Sequence, residues 1–449
     1  MQWLESYLDR KYQEILLIGS ALARPGLLRR PRCIEEVVER KFRLAAALRS
    51  ERALIDWDIT ETHWSNTQSM QIGPFEASYG YRRADLSVRG PPYYDALRTV
   101  PDRDVVQTFY TSAGMSAISA LLVALGRVSE TVRLAIVPGS YKETLEAAEA
   151  YVPGLRIEAA EVTSAAPIDT RSTGRATRVL LVDSCVPKGW FRPETLPPPE
   201  SLDLIVFDTT CFSADSGRIG RVLRWARRLG IPIVLVRSHT KLDSLGIEFG
   251  RLGSAVFVAS AETAAARRLS WFRELAREMQ DAVRLFGAAA VPAHLCPFVG
   301  NERYRQLNRR RIAATIRNGR RMTRRLASSL DGHLRVTAYQ HGLFLTLRAA
   351  TAWTEDHVKH MAARLAAEMT AKSLPLRHAG SFGFDFLAAE VSFDTRTSQH
   401  VLRISSSDVP PPICDRIVAG IEEWWRGYGL PARMSAARGV HTDAGCRAA

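Results

Sequence analysis

Between residues 134 and 259 the chain repeats one pattern, a short apolar run followed by a polar turn and a longer amphipathic stretch. The runs are Leu134-Ala135-Ile136-Val137, Val179-Leu180-Leu181-Val182, Leu204-Ile205-Val206-Phe207, Ile233-Val234-Leu235-Val236 and Ala255-Val256-Phe257-Val258, with a weaker one at Leu155-Arg156-Ile157-Glu158. Runs this short and this apolar are buried strands. Strands that alternate with helical stretches predict an α/β fold with a mainly parallel sheet covered on both faces. Such sheets take their ligands beyond the carboxyl ends of the strands. The residues just after each run therefore carry the functional information.

After the Ile233 run comes Ser238-His239-Thr240-Lys241-Leu242-Asp243-Ser244-Leu245-Gly246. Lysine is scarce in this chain. Only Lys11, Lys41, Lys142, Lys188, Lys241, Lys359 and Lys372 occur, and arginine carries the rest of the positive charge. Arginine cannot act as a nucleophilic amine at working pH. A lysine at a strand end, behind the hydroxyls of Ser238 and Thr240, suggests an amine that forms a Schiff base with a phosphorylated carbonyl cofactor.

The 449 residues suggest two folded domains with extensions. The expected divisions are an N-terminal helical arm over 1–70, a large α/β domain over 71–290, a smaller C-terminal α+β domain over 291–432 and a disordered tail over 433–449. The arm follows from the approximate helical period of Ile34, Val37, Val38, Phe42, Leu44 and Leu48. Residues 71–101, rich in tyrosine and arginine, read as a long irregular loop, and 105–125 reads as a lead-in to an apolar helix. No run is apolar enough to span a bilayer, and the start lacks a signal-peptide pattern. Six scattered cysteines with no C-x-x-C pair fit free thiols in a cytoplasmic protein, with no metal site expected. The formal charge of +14 raises the question of nucleic acid. Its densest run, Arg309 to Arg325, is interleaved with Ile312, Ile316, Met322 and Leu326 at helical spacing. It is read as the solvated face of an amphipathic helix, so nucleic acid is not the expected partner.

Other strand ends carry matching groups. Asp208 closes its strand before Thr209-Thr210, where a carboxylate can hold a protonated ring nitrogen. Tyr141 follows the Leu134 run and can stack on a flat cofactor. Ser112-Ala113-Gly114-Met115-Ser116 opens a helix, whose first amides suit an anion.

In this order, Ser112-Ala113-Gly114-Met115-Ser116-Ala117-Ile118, Tyr141, Phe207-Asp208-Thr209-Thr210, Ser238-His239-Thr240-Lys241 and Leu402-Arg403-Ile404-Ser405 resemble the fold-type I pyridoxal-phosphate enzymes. Within them the chain resembles the Cys/Met-metabolism (trans-sulfuration) family of cystathionine γ-synthase and methionine γ-lyase. The resemblance implies an aspartate-aminotransferase-like fold, pyridoxal 5'-phosphate as cofactor and a homodimer or homotetramer. It implies Lys241 as the Schiff-base lysine and proton carrier, and Asp208 at the ring nitrogen. Tyr141 would stack on the ring and assist the leaving group. Ala113, Gly114, Met115, Thr210, Ser238 and Thr240 would complete the cofactor set, and Arg403 would clamp the substrate carboxylate. Arg89 is the candidate for a phosphate contact from a second copy, with Arg82 as its competitor. The implied reaction is γ- or β-elimination or replacement on an amino acid. The alternatives are aminotransfer or Cα–C bond chemistry on the same fold, and a basic nucleic-acid-binding protein. After the lysine the family carries Tyr and then Gly-His-Ser-Asp, where this chain has Leu242-Asp243-Ser244-Leu245. This departure bears on the substrate more than on the cofactor.

Overall fold

The structure is a computed structural model that describes residues 2–23, 28–57, 68–79, 86–97, 104–152, 154–159, 176–188, 202–298, 300–330, 332 and 334–438. Two helices open the chain, α1 (Gln2–Gly19) and α2 (Ile34–Trp57). They are built into the body of the molecule. Ile15, Ile18, Leu44 and Leu48 pack with Leu245, Ile247 and Phe249 from the stretch after Lys241, and with Phe298 and Leu307.

A three-stranded antiparallel sheet follows, made of β1 (Gln68–Ile72), β2 (Phe75–Tyr79) and β3 (Leu86–Arg89). This corrects the expectation of an irregular loop over 71–101. Met70 and Ile72, then Phe75 and Ala77, alternate with polar residues, and all four are buried. Gly73-Pro74 forms the two-residue turn between the paired Ile72 and Phe75. One or two buried residues per strand are too few for the period of two to stand out in the sequence.

The central sheet has seven strands: β4 (Val105–Thr111), β5 (Val132–Ile136), β6 (Arg156–Ala159), β7 (Thr177–Asp183), β8 (Leu204–Asp208), β9 (Ile233–Ser238) and β10 (Gly253–Ala259). Their order is β4-β10-β9-β8-β7-β5-β6. The five from β9 to β6 are parallel, and β10 runs antiparallel to both neighbours. β4 is a second correction, because 105–111 pairs with β10 before the helix begins. Helices α3 (Gly114–Val128), α4 (Lys142–Tyr151) and α7 (Ala266–Leu285) cover one face, with Leu121, Leu125, Ala148, Phe272 and Met279 packed on Val179, Val234 and Phe257. Helix α5 (Gly217–Arg228) covers the other, with Ile219, Val222 and Trp225 against Leu180, Ile205 and Leu235. A single helical turn, α6 (His239–Leu242), links β9 to the loop before β10. No crossover helix separates these strands, so β10 returns antiparallel.

The C-terminal unit contains α8 (Glu302–Ser329), β11 (Arg335–Ala338), β12 (Phe344–Arg348), α9 (Glu355–Ala371), β13 (Leu376–His378), β14 (Leu387–Asp394), β15 (Gln399–Ser405) and α10 (Pro411–Arg438). Its five-stranded sheet has the order β11-β12-β15-β14-β13. The architecture is thus α/β, a large mostly parallel sheet with a smaller α+β unit, as the resemblance implies. α10 runs on to Arg438, past the point where the tail was expected to lose structure, and 439–449 lie outside the described residues.

α8 buries Ile312, Met322 and Leu326 and pairs several of its arginines with carboxylates. Arg311 departs from the expected solvated face. It is buried and lies 3.4 Å from Asp385. There it joins a cluster of charges sealed from water. Lys11 sits 2.6 Å from Asp385, 2.8 Å from Asp408 and 3.0 Å from Glu14. Lys41 sits 2.7 Å from Asp385, pairs with Glu14, and donates to the Leu245 carbonyl at 2.7 Å. Burial opposes the charge on Asp385, but Lys11, Lys41 and Arg311 outweigh it and hold the carboxyl well below its usual range.

Removing one member of such a cluster leaves the others short of counter-charge. Asp385→Ala is therefore expected to destabilise the protein by about 3–5 kcal/mol, read as a lowered urea midpoint. Because the Asp385 and Asp408 carboxyls are depressed, their contribution is fully present above about pH 4 and is lost as pH falls below it. An acid titration of the wild type that keeps its urea midpoint well below pH 4 contradicts this account.

Candidate active site

The carboxyl ends of β7, β8 and β9 lie side by side and present Asp183, Asp208 and Ser238 in a row. Asp183 is in register with Asp208, and Asp208 with Val236. α6 follows immediately and carries Lys241. Its turn is fixed from behind by Arg237, a fully buried guanidinium. Arg237 grips Asp243 through both carboxylate oxygens at 2.7 and 2.8 Å, and donates to the carbonyls of Thr209 and Phe212 at 2.9 and 2.7 Å. His239 bridges Asp243 at 2.7 Å and Ser254 at 2.8 Å, and Tyr93 packs on its ring at 3.9 Å between centroids.

A cup forms where α3 begins. The Ala117 amide makes the first intrahelical bond, to Ala113, so the amides of Gly114, Met115 and Ser116 precede the helix ladder. The helix start packs directly on β9 and β10. A Cβ at Gly114 would meet the Ser238 Cβ at 2.8 Å, and one at Gly253 would meet the Gly114 nitrogen at 2.5 Å. Only glycines permit this approach. Beside the cup the hydroxyls of Ser238 and Thr240 lie 3.0 Å apart, and Thr210 accepts from the Ser238 amide at 3.0 Å. This concave group of amides and hydroxyls suits a phosphate.

Lys241 is half-buried. Its Nζ donates to Ser381 of the small domain and lies 5.7 Å from the centre of the Phe382 ring. Burial lowers its pKa, Glu248 opposes that, and the Arg403 cation adds to it. Asp208 accepts from the Thr210 amide at 2.8 Å. Burial raises the pKa of Asp208. Asp183 accepts from the amides of Tyr141 and Cys185 at 2.8 and 2.7 Å. Its own burial and the Asp208 charge push it up to about 7. The pair thus has a use for a cation, which would let both carboxylates ionise.

Tyr141 stands before α4 with its ring partly exposed, and burial and Glu143 push its hydroxyl up. It lines a cavity of about 330 Å³ together with Cys185, Phe344, Glu390 and Arg403. Arg403 lies on β15 opposite Glu390 of β14 and is paired with it. Its guanidinium is 5.0 Å from the centre of the Phe344 ring, and its buried Nε has no hydrogen-bond partner.

The structure thus gathers Gly114, Asp208, Thr210, Ser238, Thr240 and Lys241 at one set of strand ends, and Tyr141 and Arg403 around one cavity. Arg89 ends β3 and lines a different cavity, with Gln107, Asp281 and Arg284. Within one chain it does not join the group. Arg82 lies outside the described residues. Sequence reasoning missed Asp183, Arg237, His239, Asp243, Ser381 and Glu390. The spacing of His239 and Asp243, one helical turn apart, was the available signal. Cys185, Cys211 and His341 also come together, with their possible ligand atoms within 4.8 Å of one another. His341 Nδ1 accepts from the Leu343 amide at 2.9 Å, so a neutral ring carries its proton on Nε2 and offers no lone pair there.

No family model matches the sequence, and no curated protein matches it. Solved structures do resemble its backbone. An O-acetylhomoserine (thiol)-lyase from Campylobacter jejuni has a TM-score of 0.49 at 13% identity, over 70% of this chain and 81% of that one. A methionine gamma lyase from Micromonospora echinospora has 0.46 at 14% identity, over 70% and 80%. A tyrosine aminotransferase from Leishmania infantum has 0.44 at 13% identity, over 71% and 74%.

The raised carboxyl of Asp183 has a consequence for pH. A carboxyl higher in the folded than in the unfolded protein binds an extra proton between about pH 4 and its folded value, so stability falls as pH rises through that window. In protein dialysed free of small molecules, the expected slope approaches about 1.4 kcal/mol per pH unit. Asp183→Asn should flatten it, seen as melting temperatures that no longer drop between pH 5 and 7. Identical slopes in both proteins would overturn the assignment.

Proposed function

We propose that this chain is a pyridoxal 5'-phosphate enzyme that acts on an amino acid by elimination or replacement at the β or γ carbon. The observation that carries the reading is Lys241. It is a lysine of lowered pKa at the end of a parallel strand, flanked by the glycine-lined cup at α3 on one side and by the small domain on the other. The residues fit the group. The amides of Gly114 and Met115, with the hydroxyls of Ser238 and Thr240, would hold its phosphate. Asp208 would face its ring nitrogen, and the Asp183–Asp208 pair gains from a cation there. When bound, the cofactor supplies an electrophilic carbonyl and an electron sink.

The chain's own residues do the rest. A lowered pKa leaves more of the Lys241 amine neutral, which suits it both as nucleophile and as acceptor of the substrate's α-proton. The raised pKa of Tyr141 keeps its proton on the phenol, which suits it to donate to a departing group and not to act as base. Arg403 orients the amino acid. Glu390 pairs with one terminal nitrogen of its guanidinium, and the part of Arg403 that lines the cavity would meet the substrate carboxylate. Ser381 and Phe382 bring the small domain over Lys241 and limit water around it. A second copy of the chain supplies Arg89 to the phosphate.

Two measurements test this. Protein mixed with pyridoxal phosphate should show a violet-region band that borohydride removes, with the cofactor then fixed to the Lys241 peptide. Lys241→Ala should show no such band, and a well-folded wild type without it would sink the reading. Arg403→Lys should raise the KM for the amino acid by roughly 10- to 100-fold, the value of a charge-assisted fork. Amino-group transfer with the side-chain substituent retained would overturn elimination and replacement and leave the cofactor in place.

A further inference from the structure

The basic run of α8 remains after Lys241 is explained. Half of its arginines are held by carboxylates, Arg309 by Asp215 and Asp95, Arg311 by Asp385, Arg321 by Asp415 and Arg325 by Glu422. Arg320 and Arg324 differ. They stand one turn apart on the same side of the helix, where like charges repel. Among the described residues no carboxylate pairs with either of them, nor with Lys188 or Arg218.

These four cations line a single cavity of about 470 Å³, together with Thr323 and Tyr339, and among the described residues no acidic one lines it. The cavity lies where the two domains meet. Lys188 follows β7, and its amide donates to the Ala338 carbonyl at 2.9 Å. Pro187 bridges to Tyr339 in the turn before β12. Arg218 comes from the first turn of α5, with its guanidinium 5.4 Å from the centre of the Phe212 ring. Burial and the Arg320 and Arg221 cations hold it below its ordinary pKa. Cations that converge on a concave wall from three different segments, with no counter-charge among the described residues, form a focused positive field.

The donor set selects the anion. Three guanidinium groups and one ammonium exceed what a single carboxylate can accept. A phosphate, with up to two charges and three terminal oxygens, takes several forked contacts at once. We propose that this cavity binds a phosphorylated ligand, with its phosphate held by Lys188, Arg218, Arg320 and Arg324. Tyr339 is a wall of this cavity and also of the one lined by Tyr141 and Arg403. The phosphate can therefore belong to the far end of the amino-acid substrate or to a separate ligand.

The test is calorimetric titration of inorganic pyrophosphate into the full chain saturated with pyridoxal phosphate, so that any cup at α3 is already filled. Binding itself needs no activity, and failure of the Lys241 reading would leave the titration interpretable in cofactor-free protein. One site per chain is expected. The Arg320→Ala/Arg324→Ala variant should weaken it about tenfold or more, and Arg310→Ala, an exposed residue of the same helix that does not line the cavity, by less than about twofold. A melting curve shows whether the double variant is folded, and Lys188→Ala gives an independent weakening. Non-saturable binding, or equal loss in Arg310→Ala, would overturn the proposal as general charge attraction. Unchanged affinity in both cavity variants would also overturn it. Phosphorylated amino acids then separate the sources. If they displace pyrophosphate and depend on Arg320 and Arg324, the phosphate is the substrate's. If pyrophosphate binds together with an unphosphorylated amino acid and phosphorylated amino acids do not displace it, the ligand is separate.

Discussion

The site rests on one buried ion pair. Arg237 and Asp243 face each other without water, and each is also bonded to the backbone or to a neighbour that water would otherwise have satisfied. Arg237 closes β9. Asp243 lies just past α6. The carbonyls that Arg237 holds belong to the segment after Asp208. The Tyr304 hydroxyl, on α8, donates to the Asp243 backbone carbonyl at 2.6 Å. One guanidinium thus sets the relative positions of the two strand ends that present Asp208 and Lys241, and ties both to the helix that begins the small domain. A buried pair adds less to stability than its short distances suggest, because both charges had to leave water. What it supplies here is position. Removing either partner would leave the other charged, buried and alone.

The environment around the amine follows from that frame. Strand ends open toward the small domain, which returns Ser381 and Phe382 over Lys241 and Arg403 over the adjoining cavity. Lys241 is half-buried there, and the Asp183–Asp208 pair lies at the neighbouring strand ends. In such a space a lysine loses part of its affinity for protons and a carboxyl gains some, for the same reason, that charge is poorly solvated. The lysine and the carboxyl pair are therefore pushed toward neutrality by one cause, and each is prepared for a partner that brings the missing charge.

The large sheet was legible because continuous apolar runs need no partner to be recognised. Val179 to Val182 and Ile233 to Val236 are strands in any context. The short strands β1 to β3 and the antiparallel β4 were not. They alternate in and out only over a few residues, and β4 is fully buried only from Phe109 to Thr111, so pairing in three dimensions decides what pattern leaves open. Lys241, Asp208 and Ser238 could be picked out because strand ends are where sheets expose chemistry. Asp183 could not, since its partner Tyr141 lies 42 positions away, and Arg237 and Asp243, six positions apart, meet only because the chain turns from β9 into α6. Arg311 is the sharpest instance. By composition it belongs with its exposed neighbours, and only the presence of Asp385 shows that it faces inward.

The sealed cluster of Lys11, Lys41, Glu14, Asp385 and Asp408 also imposes an order on assembly. Lys11 and Lys41 lie 374 and 344 positions from Asp385. Contacts of such separation form late. Until the segment that carries Asp385 is in place the two N-terminal helices have only Glu14 to set against their two buried lysines. The loop behind Lys241 is thus held by α1 and α2, whose lysines in turn need Asp385 of the C-terminal unit. A nascent chain can hold its sheet well before it holds a finished site.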